Sequence, residues 1–312
     1  MPLPHATVAA LAPLQVRLDE PLHKKTWWRV GGSADGYVEV RDAAELQQVV
    51  RACHTTACPL TVVGNASNCL ISDDGVRGLV VRLGGELAQV RGVPGHPDLL
   101  ELGGGLKLVG FVRKAPQRGH TGLEMLAGIP GTMGGAVKMN AGTRLGALSD
   151  VLHSVGLVHP DGSVQVAKRS DLNMRYRDGA LPPGAVVAWA RVYIGGITQE
   201  ESERRIDEHL AYRSETQPVD VPTCGSTFRN PPGDAAGRLI DSCDLKGHSL
   251  GGARVSPKHA NFIENTGTAT ADDIRRLIGF VQQQVWVKHR VLLEPEVQFL
   301  GDWDDWDMEE TL

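Results

Sequence analysis

The chain has 312 residues, 41% of them hydrophobic, which suffices for about two domains of roughly 150 residues with buried cores and excludes intrinsic disorder as its main state. Its 32 Lys and Arg residues are scattered and are outnumbered by 37 Asp and Glu residues, which argues against a nucleic-acid partner. Because no stretch of about 18 apolar residues occurs and the first Lys or Arg is Arg17, we expect no membrane span, no signal peptide with a charged start, and a cytoplasmic location.

A β-α-β unit is predicted near the start of the chain. Residues 37–40 and 60–63 are typical of strands, and Asp42 stands where it can cap the helix between them. The loop 64–68 then offers small residues whose backbone N–H groups can hold an anion. A further strand is expected at 78–83.

The middle of the chain is predicted to be mainly β. Apolar residues indicate strands at 98–102 and 185–194. Strands at 151–159 and 163–167 flank a Pro-Asp-Gly turn and are expected to form a hairpin. One helix is predicted at 106–114, directly after three glycines.

The last third of the chain is predicted to mix helices and strands. Thr198 and Glu201 have the spacing of a capping box that opens a charged helix ending near Arg213, and we place a domain junction here. The remaining predicted elements are helices at 234–243 and 270–288, the second with an apolar core-facing stripe, and strands at 259–263 and 291–300. Residues 301–312 contain six acidic residues, so a mobile end is expected.

The five cysteines show neither a CxxC pair nor a spacing typical of zinc sites, and reduced thiols are predicted. Cys53, His54 and Cys58 resemble a set of metal ligands. A helix end that packs Cys53 inward explains the same residues more simply. We therefore predict no metal.

The segment 122–142 is the densest in glycine, with six glycines in 21 residues. Such a backbone can lie flat against a large ligand and offer N–H groups to phosphates, although glycines also permit tight packing. The second small-residue loop at 64–68 favours a dinucleotide-type ligand. Neither a GxGxxG after a strand nor a P-loop occurs, so any nucleotide must be held in another way.

Two later segments carry reactive side chains. Ser226 follows a glycine and stands near Arg229 and Asn230, as a nucleophile, a proton donor or simply a turn residue. In the predicted closing strand, a period of two puts Glu294 and Glu296 on one face. The two glutamates then either face solvent or form a carboxylate pair that lines a cleft.

These segments together resemble the UDP-N-acetylenolpyruvoylglucosamine reductase (MurB) family, and the chain is similar to its type II branch because no inserted substrate-clamping loop is evident. The resemblance covers roughly residues 20–300. The motifs that carry it are at 25–32, 64–74, 124–142, 176–177, 217–218, 225–231, 258–262 and 293–297. Each motif is weak alone, whereas eight in this order are highly specific.

The resemblance implies an α+β fold. It predicts a two-lobed FAD-binding domain of the PCMH or vanillyl-alcohol-oxidase type, followed by a smaller α+β substrate-binding domain. The predicted divisions are an N-terminal extension at 1–20, the FAD-binding domain at 21–197, the substrate-binding domain at 198–300 and the acidic tail at 301–312.

The resemblance also implies the reaction. NADPH reduces a non-covalently bound FAD, flavin N5 delivers a hydride to C3 of the enolpyruvyl ether of a UDP sugar, and UDP-N-acetylmuramate results, as a step of peptidoglycan precursor synthesis. Ser226 is expected to give the proton to C2, while Arg177 and Glu296 polarise and orient the substrate.

The binding residues implied by the resemblance fall into two sets. Those expected to contact FAD are Gly64, Asn65, Ala66, Ser67, Asn68, Gly128, Ile129, Pro130, Gly131, Gly134, Ala136, Asn140, Ala141 and Gly142. Those expected to bind the nucleotide-sugar substrate are Arg213, Arg229, Asn230 and Lys258, the cations among them serving the UDP diphosphate.

Three short segments depart from the family pattern. Asn65 and Ala66 stand where glycines are common, Arg229 replaces a lysine, and Asp178 with Gly179 follows Arg177 where a serine is usual.

Two other functions stay open. One is an FAD-dependent oxidase of the same fold with flavin attached to histidine, although the loop 64–68 has no histidine; the other is a catalytically silent nucleotide-sugar-binding protein.

Overall fold

The computed structural model describes residues 3–303, which divide into two compact units that alternate along the chain. The first unit contains the residues up to Leu18, Asp35–Asn65 and Gly78–Ala211. The second contains Asp19–Ala34, Ala66–Arg77 and the residues from Tyr212 on. These units are defined by packing, and the functional domains predicted at 21–197 and 198–300 stay a prediction.

The described residues form helices and strands in mixed order, as expected of an α+β protein. The α-helices are α1 (His5–Ala10), α2 (Ala43–Thr55), α3 (Leu108–Val112), α4 (Met133–Lys138), α5 (Gln199–Thr216), α6 (Ala236–Ser242) and α7 (Ala271–His289). The strands are β1 (Arg17–Pro21), β2 (Ser33–Val40), β3 (Leu60–Val62), β4 (Cys69–Ile71), β5 (Val76–Leu83), β6 (Val90–Val93), β7 (His96–Gly103), β8 (Gly142–Thr143), β9 (Gly146–Ala147), β10 (Leu152–Val158), β11 (Val164–Lys168), β12 (Val186–Tyr193), β13 (Ser249–Leu250), β14 (Ala253–Val255), β15 (Ile263–Asn265) and β16 (Gln298–Leu300).

Two larger sheets and three smaller ones organise these strands. A four-stranded sheet has the order β1-β2-β5-β3, with β3 and β5 parallel, and a five-stranded antiparallel sheet has the order β11-β10-β12-β7-β6. In the second unit β13, β14 and β15 form an antiparallel sheet, and β16 pairs in parallel with β4. The strands β8 and β9 form a separate pair.

Local capping signals explain where the main helices begin. The Asp42 carboxylate accepts the Glu45 N–H at 2.9 Å at the start of α2, and Thr198 accepts the Glu201 N–H at the start of α5. Thr270 caps α7 in the same way. These predicted helices are confirmed, as is the hairpin of β10 and β11.

Each unit has its own hydrophobic core. In the second unit the apolar stripe of α7 is fully buried and packs with α6 and β14, which confirms its prediction as core; its residues are Ile274, Leu277, Ile278, Val281 and Val285. In the first unit Cys53 is 2% exposed on α2, as predicted. Burial raises the pKa of the Cys53 thiol to about 12, so this thiol stays protonated at neutral pH.

Two predicted strands are wrong in extent. The closing strand predicted at 291–300 forms only at Gln298–Leu300; Pro295 lacks a backbone N–H and cannot donate within a continuous ladder. The strand predicted at 259–263 starts at Ile263, because the preceding residues form a turn in which the Phe262 N–H donates to the His259 carbonyl at 3.0 Å.

The structure describes most of the predicted N-terminal extension and little of the predicted acidic tail. The predicted extension 1–20 contains α1, and Leu3 and Leu11 are buried in a core cluster with α2. The predicted acidic tail lies, from residue 304 on, outside the described residues. No helix within residues 3–303 has both the length and the apolar character to cross a membrane.

Candidate active site

Two predicted active-site segments are paired in the second unit. We call residues 225–231 the serine loop and residues 293–297 the glutamate segment. The Glu296 N–H donates to the Thr227 carbonyl at 2.8 Å, and one antiparallel bridge joins the two segments. Gly225 has φ +80°, a conformation in which glycine lets the chain turn just before Ser226. The backbone thus links the residue after Ser226 directly to Glu296.

The two glutamates of the glutamate segment differ in their surroundings. The Glu294 side chain is 71% exposed and lies 3.8 Å from Nη1 of Arg229. Glu296 is half-buried. The segment is not a strand, so the predicted strand face shared by Glu294 and Glu296 does not exist. The structure therefore distinguishes two glutamates that a strand periodicity of two could not distinguish.

Asn68 holds the glutamate segment from its other side. Its side-chain Nδ2 donates to the Glu296 carbonyl at 3.0 Å, and its carbonyl accepts the Gln298 N–H at 3.0 Å. Asn68 was predicted to contact FAD. In the second unit its hydrogen bonds connect the small-residue loop to the segment that carries Glu296.

Asn261 contacts the serine loop and was missed as a site residue by the sequence reasoning. Its side-chain oxygen accepts the Phe228 N–H at 2.9 Å, and its Nδ2 donates to the Phe228 carbonyl at 2.8 Å. It is 4% exposed. The signal was present in the motif 258–262, since a short amide between apolar residues must find buried partners.

Two buried polar groups of the serine loop have no hydrogen-bond partner in the described part of the chain. They are Oγ1 of Thr227 and Nε of Arg229. Buried polar groups are costly unless they are bonded. This loop therefore has spare hydrogen-bonding capacity beside Ser226, which suits a polar ligand.

Arg177 lies in a tight turn of the first unit. The Arg175 N–H donates to the Asp178 carbonyl at 2.8 Å and the Asp178 N–H donates back to the Arg175 carbonyl at 3.1 Å. Arg177 has φ +57°, and its guanidinium lies 4.9 Å from the ring centroid of Tyr176. Stacking on this half-exposed aromatic ring favours one direction of the arginine side chain.

The predicted FAD-binding segment supports this turn. Nδ2 of Asn140 donates to the Arg175 carbonyl at 2.9 Å, and the Gly179 N–H donates to the Lys138 carbonyl at 2.8 Å. A Cβ on Gly179 would lie 2.1 Å from the Val137 carbonyl oxygen. The backbone approaches α4 so closely that glycine is the residue that fits at position 179.

The two glycine-rich segments meet within the first unit. Nδ2 of Asn65 donates to the Pro130 carbonyl at 2.6 Å, and a Cβ on Gly64 would lie 2.3 Å from Oγ1 of Thr132. Among the described residues, the N–H groups of Asn65, Gly131 and Thr132 have no hydrogen-bond partner. Unpaired backbone donors next to small residues suit a phosphate-bearing ligand, so this arrangement fits a dinucleotide such as FAD.

Packing accounts for other residues of the predicted FAD set. Ala136 on α4 is 2% exposed, and a Cβ on Gly134 would lie 3.0 Å from the Gly104 carbonyl oxygen. Asn140 accepts the Ser149 N–H through its side-chain oxygen at 3.0 Å. The alternative reading of tight packing therefore applies to this part of the segment.

The predicted substrate-binding residues all lie in the second unit. Nζ of Lys258 donates to the Ser214 carbonyl. Oδ1 of Asn230 accepts the Ala236 N–H at 3.0 Å, at the start of α6. Burial lowers the pKa of Arg213, whose ordinary value is high enough to keep it charged at neutral pH.

Comparison with known proteins places these features in context. A family model described as UDP-N-acetylenolpyruvoylglucosamine reductase, C-terminal domain, matches residues 217–300, and one described as FAD binding domain matches residues 34–168. UDP-N-acetylenolpyruvoylglucosamine reductase of Anaeromyxobacter sp. (strain K) is 42% identical over 291 residues, covering 93% of this chain and 87% of that protein. The enzyme of the same name from Listeria monocytogenes is 39% identical over 290 residues, covering 93% and 96%.

A solved structure is similar over nearly the whole chain. The crystal structure of UDP-N-acetylenolpyruvylglucosamine reductase from Thermus caldophilus has a TM-score of 0.79 and 38% sequence identity, covering 92% of this chain and 99% of that one. The predicted fold class, an FAD-binding domain followed by a smaller C-terminal domain, is thereby confirmed.

Proposed function

Because the chain belongs to the UDP-N-acetylenolpyruvoylglucosamine reductase family, we propose that it is an FAD-dependent oxidoreductase that reduces UDP-N-acetylglucosamine enolpyruvate to UDP-N-acetylmuramate, with NADPH as the electron donor. The observation that carries this proposal is the pairing of the serine loop with the glutamate segment. The pairing holds Ser226, the proposed proton donor, and Glu296, the proposed orienting group, on adjoining backbones, and a proton donor must be held in a fixed position to protonate an enolate.

The FAD is proposed to be held without a covalent bond by backbone groups of 64–68 and 128–142. The unpaired N–H groups of Gly131 and Thr132 support this placement. When bound, FAD supplies hydride transfer from NADPH to C3 of the enolpyruvyl group.

The chain's own side chains manage charge and protons on the substrate. Addition of hydride at C3 makes C2 basic and spreads negative charge over the substrate carboxylate. Arg177 orients and stabilises this charged group, and Glu296 does so when its carboxyl group is protonated and donates a hydrogen bond. Ser226 donates its hydroxyl proton to C2. A serine is a weak acid, so it acts only on a strongly basic carbon and from a fixed position.

Binding of the nucleotide sugar is assigned to the second unit. Arg213, Arg229 and Lys258 are the proposed cations for the diphosphate, together with Asn230. The unpartnered Nε of Arg229 supports this role, since a buried guanidinium donor needs an oxygen acceptor.

The test separates the two half-reactions at Ser226. In stopped-flow measurements, Ser226→Ala should let NADPH reduce the flavin at a near-normal rate, because no proton from Ser226 is needed there. Reoxidation of the flavin by the enolpyruvyl sugar nucleotide should slow by about 10²- to 10⁴-fold, the usual cost of losing a general acid.

The exposed Ser249, in the same unit, provides the matched control, and Ser249→Ala should leave both steps unchanged. Equal slowing of both half-reactions in Ser226→Ala would remove Ser226 from the mechanism. Wild-type reduced flavin that is reoxidised by oxygen and not by the sugar nucleotide would overturn the proposed function in favour of an oxidase.

A further inference from the structure

Asn261 binds two consecutive residues of the serine loop through three polar groups. Its carbonyl accepts the Thr227 N–H at 2.8 Å. Its side chain both accepts from and donates to the backbone of Phe228, at 2.9 and 2.8 Å. All three residues are nearly or fully buried, where hydrogen bonds are directional and costly to break.

These bonds fix the peptide plane that follows Ser226. The Thr227 N–H belongs to the peptide group that joins it to Ser226, so a fixed N–H restricts the rotation of the chain at the Ser226 Cα. The direction of the Ser226 side chain is set at the same Cα. The position of the Ser226 Cβ, from which the hydroxyl extends, is therefore restrained by the bond from Thr227 to Asn261.

The same residues connect Asn261 to Glu296. The Thr227 carbonyl accepts the Glu296 N–H at 2.8 Å, so Thr227 is bonded to Asn261 on one edge and to Glu296 on the other. A shift of the serine loop at Asn261 would move both proposed active-site residues. On the far side Asn68 holds the Glu296 carbonyl, which completes the sequence of bonds.

Asn261 itself is held in a rigid turn. Its N–H donates to Nδ1 of His259 at 3.2 Å. The Phe262 N–H donates to the His259 carbonyl at 3.0 Å, and the Ser256 N–H donates to the Phe262 carbonyl at 2.8 Å. The amide of Asn261 is thus presented to the serine loop from a preorganised support.

We propose that Asn261 is a positioning residue of the reduction, which sets the geometry of Ser226 and Glu296 through the backbone of Thr227 and Phe228. This inference rests on the proposed function and adds a residue that acts without touching the substrate. Only an amide of this length can satisfy both the N–H and the carbonyl of Phe228, because an aspartate would place a negative oxygen against that carbonyl.

Asn265 offers a matched control in the same unit. It is also buried, at 7% exposure, and its side chain donates to the Trp28 carbonyl at 2.7 Å and accepts the Gly267 and Ala269 N–H groups at 2.8 and 3.1 Å. Its partners lie outside the serine loop and the glutamate segment. Asn261→Ala keeps the backbone bond from Thr227 and removes the two side-chain bonds to Phe228, the next residue of the serine loop. Asn265→Ala also removes buried hydrogen bonds, but away from the site, so only Asn261→Ala loosens the serine loop.

Both variants are expected to lower the thermal midpoint. In Asn261→Ala, NADPH should reduce the flavin at a near-normal rate, while reoxidation by the enolpyruvyl sugar nucleotide slows by about 10²-fold, as for small misplacements of reacting groups. The loss should fall on kcat rather than on KM. Asn265→Ala, measured well below its thermal midpoint, should keep both rates near wild type.

The solvent isotope effect on reoxidation distinguishes a positioning role from a purely structural one, because a loss of stability alone does not change it. Reoxidation of Asn261→Ala in D₂O should show a larger isotope effect than wild type, because a loosely placed serine makes proton transfer more rate-limiting. Asn261→Ser introduces no buried charge and keeps a short polar side chain in place of the amide, and it should show an intermediate loss of rate; it serves as the test if Asn261→Ala does not fold.

The outcomes are distinct. Equal effects of Asn261→Ala and Asn265→Ala on reoxidation, or an unchanged isotope effect, would overturn the positioning role while leaving the reaction intact. A wild-type enzyme whose reduced flavin the sugar nucleotide does not reoxidise would overturn the proposed function instead.

Discussion

At the scale of single residues, Glu294 and Glu296 illustrate how neighbours in sequence acquire different chemistry. The N–H of Glu296 is bonded to Thr227 and its carbonyl to Asn68, whereas the Glu294 side chain extends into solvent near Arg229. An exposed ion pair of this kind contributes little to stability. The fixed backbone of Glu296 favours it as the proposed active-site carboxylate.

This contrast gives a direct comparison of two isosteric changes. Glu296→Gln should slow reoxidation of reduced flavin by the enolpyruvyl substrate about 10²-fold or more, because the carboxyl group that orients the substrate is lost. Glu294→Gln should keep the rate within a few-fold of wild type. Stopped-flow rates of both variants check the prediction, and the reverse order would show that Glu294 is the functional residue.

His259 makes the support of Asn261 sensitive to acid. Burial lowers the pKa of His259, the positive charge of Lys246 lowers it further, and Asp241 opposes the shift. Its Nδ1 accepts the Asn261 N–H, which requires the neutral ring. The unfolded chain therefore binds a proton at His259 more readily than the folded chain does, and stability falls as pH decreases below the ordinary histidine pKa of about 6.5.

Urea unfolding between pH 8 and pH 5 measures this effect. Wild type should lose stability over the lower part of the range, while His259→Asn, which retains an acceptor near the position of Nδ1, should lose less. The difference between the two curves isolates His259 from the other histidines. Parallel curves for the two proteins would contradict the assignment.

At the scale of elements, the turn that carries Arg177 depends on its contact with α4. The Gly179 N–H bonds to the Lys138 carbonyl, and the backbone of Val137 occupies the space that a side chain at Gly179 would need. Backbone atoms cannot move aside as flexible side chains do. The turn and the helix must therefore separate if that glycine is replaced.

Gly179→Ala should displace the Arg177 turn and slow substrate-dependent reoxidation about tenfold or more, because misplaced charged groups lose their effect on the transition state. Gly110→Ala is the control, since Gly110 lies within α3 with open space around it and should be neutral or slightly stabilising. Steady-state kinetics and thermal midpoints of both variants test this prediction. Full activity in Gly179→Ala would show that the contact is dispensable.

The loop around Gly131 allows a test of cofactor binding. Gly131→Val adds a branched side chain next to an unpaired N–H group in the proposed FAD site, and we expect FAD to be lost during purification. Gly92→Val is the control, because Gly92 lies in strand β6 with no neighbour near its Cβ position and valine suits strands. The ratio of flavin to protein absorbance measures occupancy. Full occupancy in Gly131→Val would place the cofactor elsewhere.

The elements also show how far sequence reasoning reached. Helices α2, α5 and α7 were predicted because their caps and apolar stripes are local signals. The short strands β4 and β16 were missed or misjudged because their pairing joins distant segments, and Pro295 divides a run that looked continuous. Ser226 and Glu296 were predicted as site residues through motif order. The backbone contact between Thr227 and Glu296 and the proposed role of Asn261 depend on tertiary structure.

At the scale of the whole molecule, the second unit is assembled from three separate stretches of chain. The indole N–H of Trp28 donates to the Ile263 carbonyl at 2.7 Å across 235 residues of sequence, and Trp28 is fully buried. No composition change marks its stretch, Asp19–Ala34, as belonging with the end of the chain. Long-range pairing of this kind has no local signature, which is why the sequence did not reveal the interleaved units.

This interleaving has a consequence for synthesis on the ribosome. Chains emerge from the amino terminus first and fold as soon as a unit can close. The partner of Trp28 is made only after more than four-fifths of the chain has emerged, and β16, the partner of β4, comes later still. Until then the apolar ring of Trp28 and the unpaired edge of β4 stay exposed on the nascent chain. We therefore expect chaperone protection to matter most while the second unit is still incomplete.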